Sequence, residues 1–220
     1  MGKDSQMKAR IAEAARQRFL RYGFSRVTTE EIARDLGISK KTLYQHYPTK
    51  RILLEAAIAR MEHEIQEGIE ALLRDERLDV LEKAGRLMAL VGGKISRVER
   101  PFLEDLQRIA PEVWKGIAKF RHRVVFPLMG RLIREGVRSG TFRKDLDLRL
   151  LVPLYFTVFQ NTCTPEVLSQ LPYSPAEVFQ SLFSLLFQGM LTDEARRDYA
   201  TRRKLFRPKQ EILLSLNQPS

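Results

Sequence analysis

The sequence is short of the residues that build most enzymatic and metal sites. A single cysteine, Cys163, among 220 residues excludes an internal disulfide framework and a cysteine-based zinc site. Three histidines, His46, His63 and His122, stand apart from one another at no ligand spacing. No stretch reaches the roughly 18 unbroken apolar residues of a membrane span, so no bilayer helix is expected. The start lacks an apolar signal segment, and Gly2 with Ser5 misses the myristoylation spacing by one position. A cytoplasmic protein without membrane contact is the expectation. Gly-rich phosphate loops, HExxH and GxSxG are all missing, so no catalytic residue is assigned and no enzyme is expected. Cys163, beside a helix end, reads as a small core residue rather than a nucleophile. No cofactor and no metal are called for.

What is present is charge and helical periodicity. The chain is 44% hydrophobic and 30% charged, with a formal net charge of +11. Residues 1–51 hold 12 basic and 5 acidic side chains, so most of the positive excess falls in the first quarter. A compact basic module on a near-neutral body points to an anionic partner, nucleic acid first among them.

The apolar period is close to 3.6 nearly everywhere, and no alternating strand pattern of useful length occurs. The expectation is therefore an all-α chain of about nine or ten helices. Ile11, Ala14, Ala15, Phe19 and Tyr22 mark one face of a first helix ending at Gly23. Thr28 with Glu31 three positions on is a capping box that starts a second helix, closed by Gly37. Ser39 caps a third, Lys40 to His46, and Thr49 caps a long fourth from Lys50 to about Arg74. Further helices are expected over 78–97, after Pro101, from Pro111 to Gly140, from Leu148 to Thr162, and from Pro175 to Leu191. Pro127 should kink the long one.

Residues 28–46 thus read as a helix-turn-helix, with Ile32, Leu36, Ile38 and Leu43 locking its two helices together. The second helix offers Lys40, Lys41, Thr42, Tyr44, Gln45 and His46 to a major groove, with Lys40 or Gln45 as the base readers. Tyr44 has a partly structural alternative, and Tyr47 reads as core rather than contact.

The pattern Thr28-Thr29-x-x-Ile32-Ala33-x-x-Leu36-Gly37-Ile38-Ser39-x-x-Thr42-Leu43-Tyr44-x-His46-Tyr47-x-x-Lys50-x-x-Leu53-Leu54 resembles the DNA-binding domain of the tetracycline-repressor (TetR) family over roughly residues 7–56. Gly140-Thr141-Phe142-Arg143-x-Asp145-Leu146-Asp147 is a weaker echo of that family's regulatory domain. Tyr47 stands where Phe is usual, and Lys41 where a small residue is common. The resemblance implies an N-terminal three-helix DNA-binding domain, residues 1–50, and a larger ligand-binding and dimerisation domain, 51–220. It implies that Thr29 and Lys50 grip backbone phosphates at two helix starts, with Thr28 beside them. It implies that Lys40, Lys41 and Thr42 form the leading turn of the recognition helix, and that Tyr44 and His46 touch phosphates or bases.

It also implies a small-molecule cavity in the larger domain. Met88, Phe102, Trp114, Phe120, Phe126, Tyr155, Phe156 and Phe159 are the candidate lining, and Gln107, His122, Gln160 and Asn161 the candidate polar anchors. The stretches 148–159 and 178–191 are apolar around their whole circumference, which asks for burial on all sides. A second copy of the chain supplies it if Leu151, Leu154, Val158, Phe179, Leu182, Phe183, Leu186 and Met190 form a homodimer interface; an ordinary monomer core is the alternative. The basic tail (Arg196, Arg197, Arg202, Arg203, Lys204, Arg207, Lys209) reads as a solvated helix face.

The functional expectation is a dimeric regulator on a near-palindromic operator. By family habit it is a repressor released by a small hydrophobic effector that shifts the population of recognition-helix spacings. The alternative is a helical adaptor whose basic segment binds another macromolecule without reading DNA sequence.

Overall fold

A computed structural model describes residues 3–202 of the chain. They form twelve α-helices: α1 Lys3–Tyr22, α2 Thr29–Leu36, α3 Lys40–His46, α4 Lys50–Arg74, α5 Val80–Ile95, α6 Arg100–Arg108, α7 Pro111–Phe120, α8 Phe126–Arg138, α9 Leu148–Thr162, α10 Pro165–Gln170, α11 Pro175–Met190 and α12 Asp193–Thr201. A π turn, Arg121–Val125, joins α7 to α8. The all-α expectation holds; the single helix expected from Pro111 to Gly140 is divided into α7 and α8 by the π turn, and the short α10 and α12 are additional. Arg203, Lys204, Arg207 and Lys209 of the basic tail lie outside the described residues. Among the described residues no helix is long and apolar enough to cross a membrane.

Local chemistry sets most boundaries. Thr28, Asp79 and Ser174 each close a capping box, with Glu31, Glu82 and Glu177. Ser39 and Thr49 accept from the third helical N–H of α3 and α4. The π turn sits just ahead of Pro127. Proline has no N–H to donate and its ring crowds the carbonyl four residues back. The wider turn answers this, with the Phe126 N–H reaching the carbonyl of Arg121.

Two apolar clusters hold the helices. One joins Ile11, Phe19, Leu20, Ile32, Leu43, Leu53 and Leu54 to Phe102, Leu106 and Val113. The first fifty residues therefore share their core with α6 and α7. The other gathers α4, α5, α8, α11 and α12 around Leu87, Leu132, Phe142 and Phe187. Tyr22, expected on the buried face of α1, is 46% exposed instead; it is the last residue before the turn and stacks against Arg21 at 5.2 Å.

Candidate functional site: a recognition helix and an apolar cavity

α2 and α3 cross at a turn whose Gly37 has φ 66°. Its N–H and that of Ile38 close the end of α2, a left-handed stop that costs other residues strain. The recognition helix is held down from below. Leu43 is wholly buried, and Tyr47 is buried with its hydroxyl donating to the Lys8 carbonyl at 3.0 Å. The hydroxyls of Tyr44 and Thr29 meet at 3.1 Å, and Thr29 is itself buried. Both residues therefore fasten α3 to the start of α2 in the free protein. Thr28 is spent as the α2 cap, and Thr42 shares hydrogen bonds with Ser39.

The exposed surface of α3 is Lys40, Lys41 and Gln45. Lys40 pairs with Glu30 and lies 5.8 Å from the Tyr44 ring. His46 is largely covered, its Nδ1 3.5 Å from Asp4. Lys50 turns toward the protein: Nζ donates to the Ser25 carbonyl at 3.3 Å and sits 4.5 Å from the Phe24 ring. Burial pulls its pKa below the ordinary lysine value.

A second feature lies between the two clusters: a cavity of about 250 Å3 whose wall is almost wholly hydrocarbon. Leu20 of α1, Leu87 of α5, Phe102, Leu103 and Leu106 of α6, and Phe159 of α9 all reach it. Of the expected lining, Phe102, Trp114, Phe120, Phe126, Tyr155, Phe156 and Phe159 are on its wall, with Phe126 and Phe156 stacked at 4.0 Å. Met88 is buried elsewhere in the second cluster. The expected polar anchors are not on the wall. Gln107, His122 and Asn161 are exposed, and Gln160 lies outside the lining. The helical face that carries Trp114 and Ile117 to the wall brings Arg121 there at the next turn, and leaves His122 and Arg123 outside. The polar groups that do reach the wall are Glu62, Arg121, Tyr155 and Cys163. Desolvation pushes Glu62 up to about 7, and raises the Tyr155 phenol and the Cys163 thiol.

Cavity and recognition helix are linked through α6. Its Asp105, buried but not part of the cavity wall, accepts from the Ser25 N–H at 2.8 Å and from its hydroxyl at 3.1 Å. The Glu99 N–H, at the start of α6, donates to the Leu20 carbonyl at 2.8 Å.

α9 has no fully buried position in the single chain, although most of its residues are apolar. Leu150, Leu154 and Val158 form a stripe that is 60%, 51% and 37% exposed, and Leu185 on α11 is 71% exposed. Leu151, Leu182 and Leu186 are half-buried. Phe179, Phe183 and Met190, expected on a dimer face, are on the cavity wall in the single chain. A helix that is apolar all round does not declare which side faces which neighbour.

These features define a helix-turn-helix DNA-binding protein with an internal apolar cavity. The sequence profile of the bacterial regulatory proteins, tetR family, matches residues 11–57, and that of the YsiA-like protein C-terminal region matches 94–189. The chain belongs to the tetR family of bacterial regulatory proteins and is a DNA-binding transcriptional regulator. It is similar to the uncharacterised HTH-type transcriptional regulator YvaF of Bacillus subtilis, 26% identical over 172 residues, 78% of this chain and 89% of that one. It is equally similar to the nucleoid occlusion factor SlmA of Shewanella halifaxensis, 26% identical over 174 residues, 76% and 85% of the two chains. A TetR-family transcriptional regulator from Marinobacter aquaeolei shares the fold at a TM-score of 0.66 and 18% identity, over 94% of this chain and all of that one.

Proposed function

We propose that the protein is a cytoplasmic homodimeric repressor that leaves a near-palindromic operator when a small, mostly apolar molecule enters the cavity. In this reading residues 1–50 bind DNA and residues 51–220 bind the effector and a second chain. Lys40, Lys41 and Gln45 reach base edges or phosphates. Thr28, Thr29, Thr42, Tyr44, His46 and Lys50 position the recognition helix against the backbone. The exposed stripe of Leu150, Leu154 and Val158 with Leu185 is covered by the same stripe of a partner.

The observation that carries the proposal is the double role of α6. Phe102, Leu103 and Leu106 form cavity wall, while Asp105 of the same helix holds the Ser25 turn ahead of the helix-turn-helix. A molecule that displaces α6 is bound to move that turn, and with it the spacing of paired recognition helices, which suits DNA only near one duplex turn, roughly 34–36 Å. The work available is the effector's preference for one arrangement over the other.

Native mass spectrometry of the purified protein, followed by binding to the duplex upstream of its own gene, tests this. Two chains per particle, salt-sensitive preference for that duplex over random sequence, and loss of the preference when a co-purified molecule is added back are expected. A monomer equally indifferent to every duplex overturns it.

A further inference from the structure

Arg121 is the anomaly of the cavity. It is a guanidinium on a hydrocarbon wall, and among the described residues it makes no ion pair. Its contacts are neutral. The Trp114 ring lies 4.6 Å from the guanidinium carbon, and one Nη donates a long 3.5 Å hydrogen bond to the Cys163 carbonyl. Its Nε is shut off from solvent with no hydrogen-bond partner, and so is the Tyr155 hydroxyl. Both belong to the same wall.

A buried charge without a counter-charge is costly, and most side chains escape by giving up the charge. Glu62, the carboxyl on the wall, moves that way: desolvation lifts it to about 7, toward the neutral form. Arginine has no such exit, because its guanidinium stays protonated across the physiological range. Regular helical spacing from Trp114 and Ile117 brings Arg121 onto the wall, and the π turn begins at this residue, where the helix passes the cavity. Turns of this kind concentrate at functional sites.

We propose that the effector is an apolar molecule with a single anionic head, carboxylate or phosphate, which the Arg121 guanidinium binds while Tyr155 donates a second hydrogen bond. The proposal rests on the effector-cavity reading above. The anion supplies the missing counter-charge, and the fork of N–H donors fits either head group. The cavity of about 250 Å3 suits an apolar part of medium length.

The test is calorimetric titration of the purified full-length protein with decanoate, decyl phosphate and 1-decanol. In the wild type, at least one anion should bind about tenfold or more tighter than the alcohol, and whichever does names the head group. Arg121→Gln should erase that preference while keeping the affinity for 1-decanol; Arg121→Lys should keep part of it. Circular dichroism checks that the variants fold, and the wild-type comparison stands if they do not. If the alcohol matches both anions, or if the preference survives in Arg121→Gln, the anion site is overturned. If none of the three binds, alcohol included, the apolar effector cavity itself falls, and the anion site with it.

Discussion

Asp105 and Ser25, 80 residues apart, are joined twice, by the Ser25 N–H and by its hydroxyl, both donating to the same carboxylate oxygen. The carboxylate is buried, so removing it leaves a partly covered N–H without an acceptor. Asp105→Ala should cost about 1–3 kcal/mol of stability in urea unfolding, more than Ser25→Ala, which keeps the backbone bond. The functional effect should be uncoupling: effector affinity persists, but the effector no longer lowers duplex affinity to the wild-type extent. Fluorescence anisotropy with labelled duplex reads the difference.

Two glycines separate backbone strain from crowding. Gly37 has φ 66° with nothing within 4 Å of where a Cβ would stand, so Gly37→Ala should cost only the left-handed strain, about 1–2 kcal/mol. Gly23 has φ 88°, and a Cβ there would lie 2.7 Å from Asp105 and 3.2 Å from the Pro101 carbonyl. Gly23→Ala should therefore be the more damaging in denaturation midpoints, and should also blunt effector response because it presses on Asp105. Equal losses would remove the packing argument.

Lys40 is not a free cation in the unbound protein, since Glu30 pairs with it. Lys40→Ala should weaken specific duplex binding about tenfold if the side chain reads a base. Glu30→Gln should instead strengthen binding, because it removes a negative charge from the face that meets phosphate and releases Lys40. Measured against salt, Lys40→Ala lowers the slope only if Lys40 contacts phosphate.

Glu62 predicts a pH dependence. Its carboxyl has a folded pKa of about 7 against the usual 4.5, so between those values the folded chain holds a proton that the unfolded chain has lost. Stability must then fall as pH rises through this window. Glu62→Gln should flatten that decline between about pH 5 and 7, seen as a smaller change in Tm across the window than in the wild type. A steeper decline in the variant would contradict it.

Much of this was legible along the chain, because caps and stops are local. Thr28 with Glu31, Ser39, Thr49 and Gly37 announce their helices through contacts within a few residues. The aromatic wall was legible too, since large apolar side chains have few other places to go. The polar part of the cavity was not, because it depends on helical phase and on neighbours distant in sequence. Polar residues such as Gln107 and His122 look like anchors by type, yet they face out. The signal for the right ones is a charge inside an apolar stripe. Arg121 continues the spacing of Trp114 and Ile117, and Glu62 falls between Ile58 and Ile65. The same limit explains the mixed dimer set, where composition marks α9 and α11 as sticky without separating Leu154 from Phe183.

The apolar cluster that runs from Ile11 and Leu43 into Phe102 and Val113 has a calorimetric consequence. Neither the head nor the body owns that interior, so melting one strips the cover from the other. Scanning calorimetry should record a single endotherm for the whole polypeptide, and a fragment cut after residue 50 should lose cooperativity rather than survive as a miniature of itself.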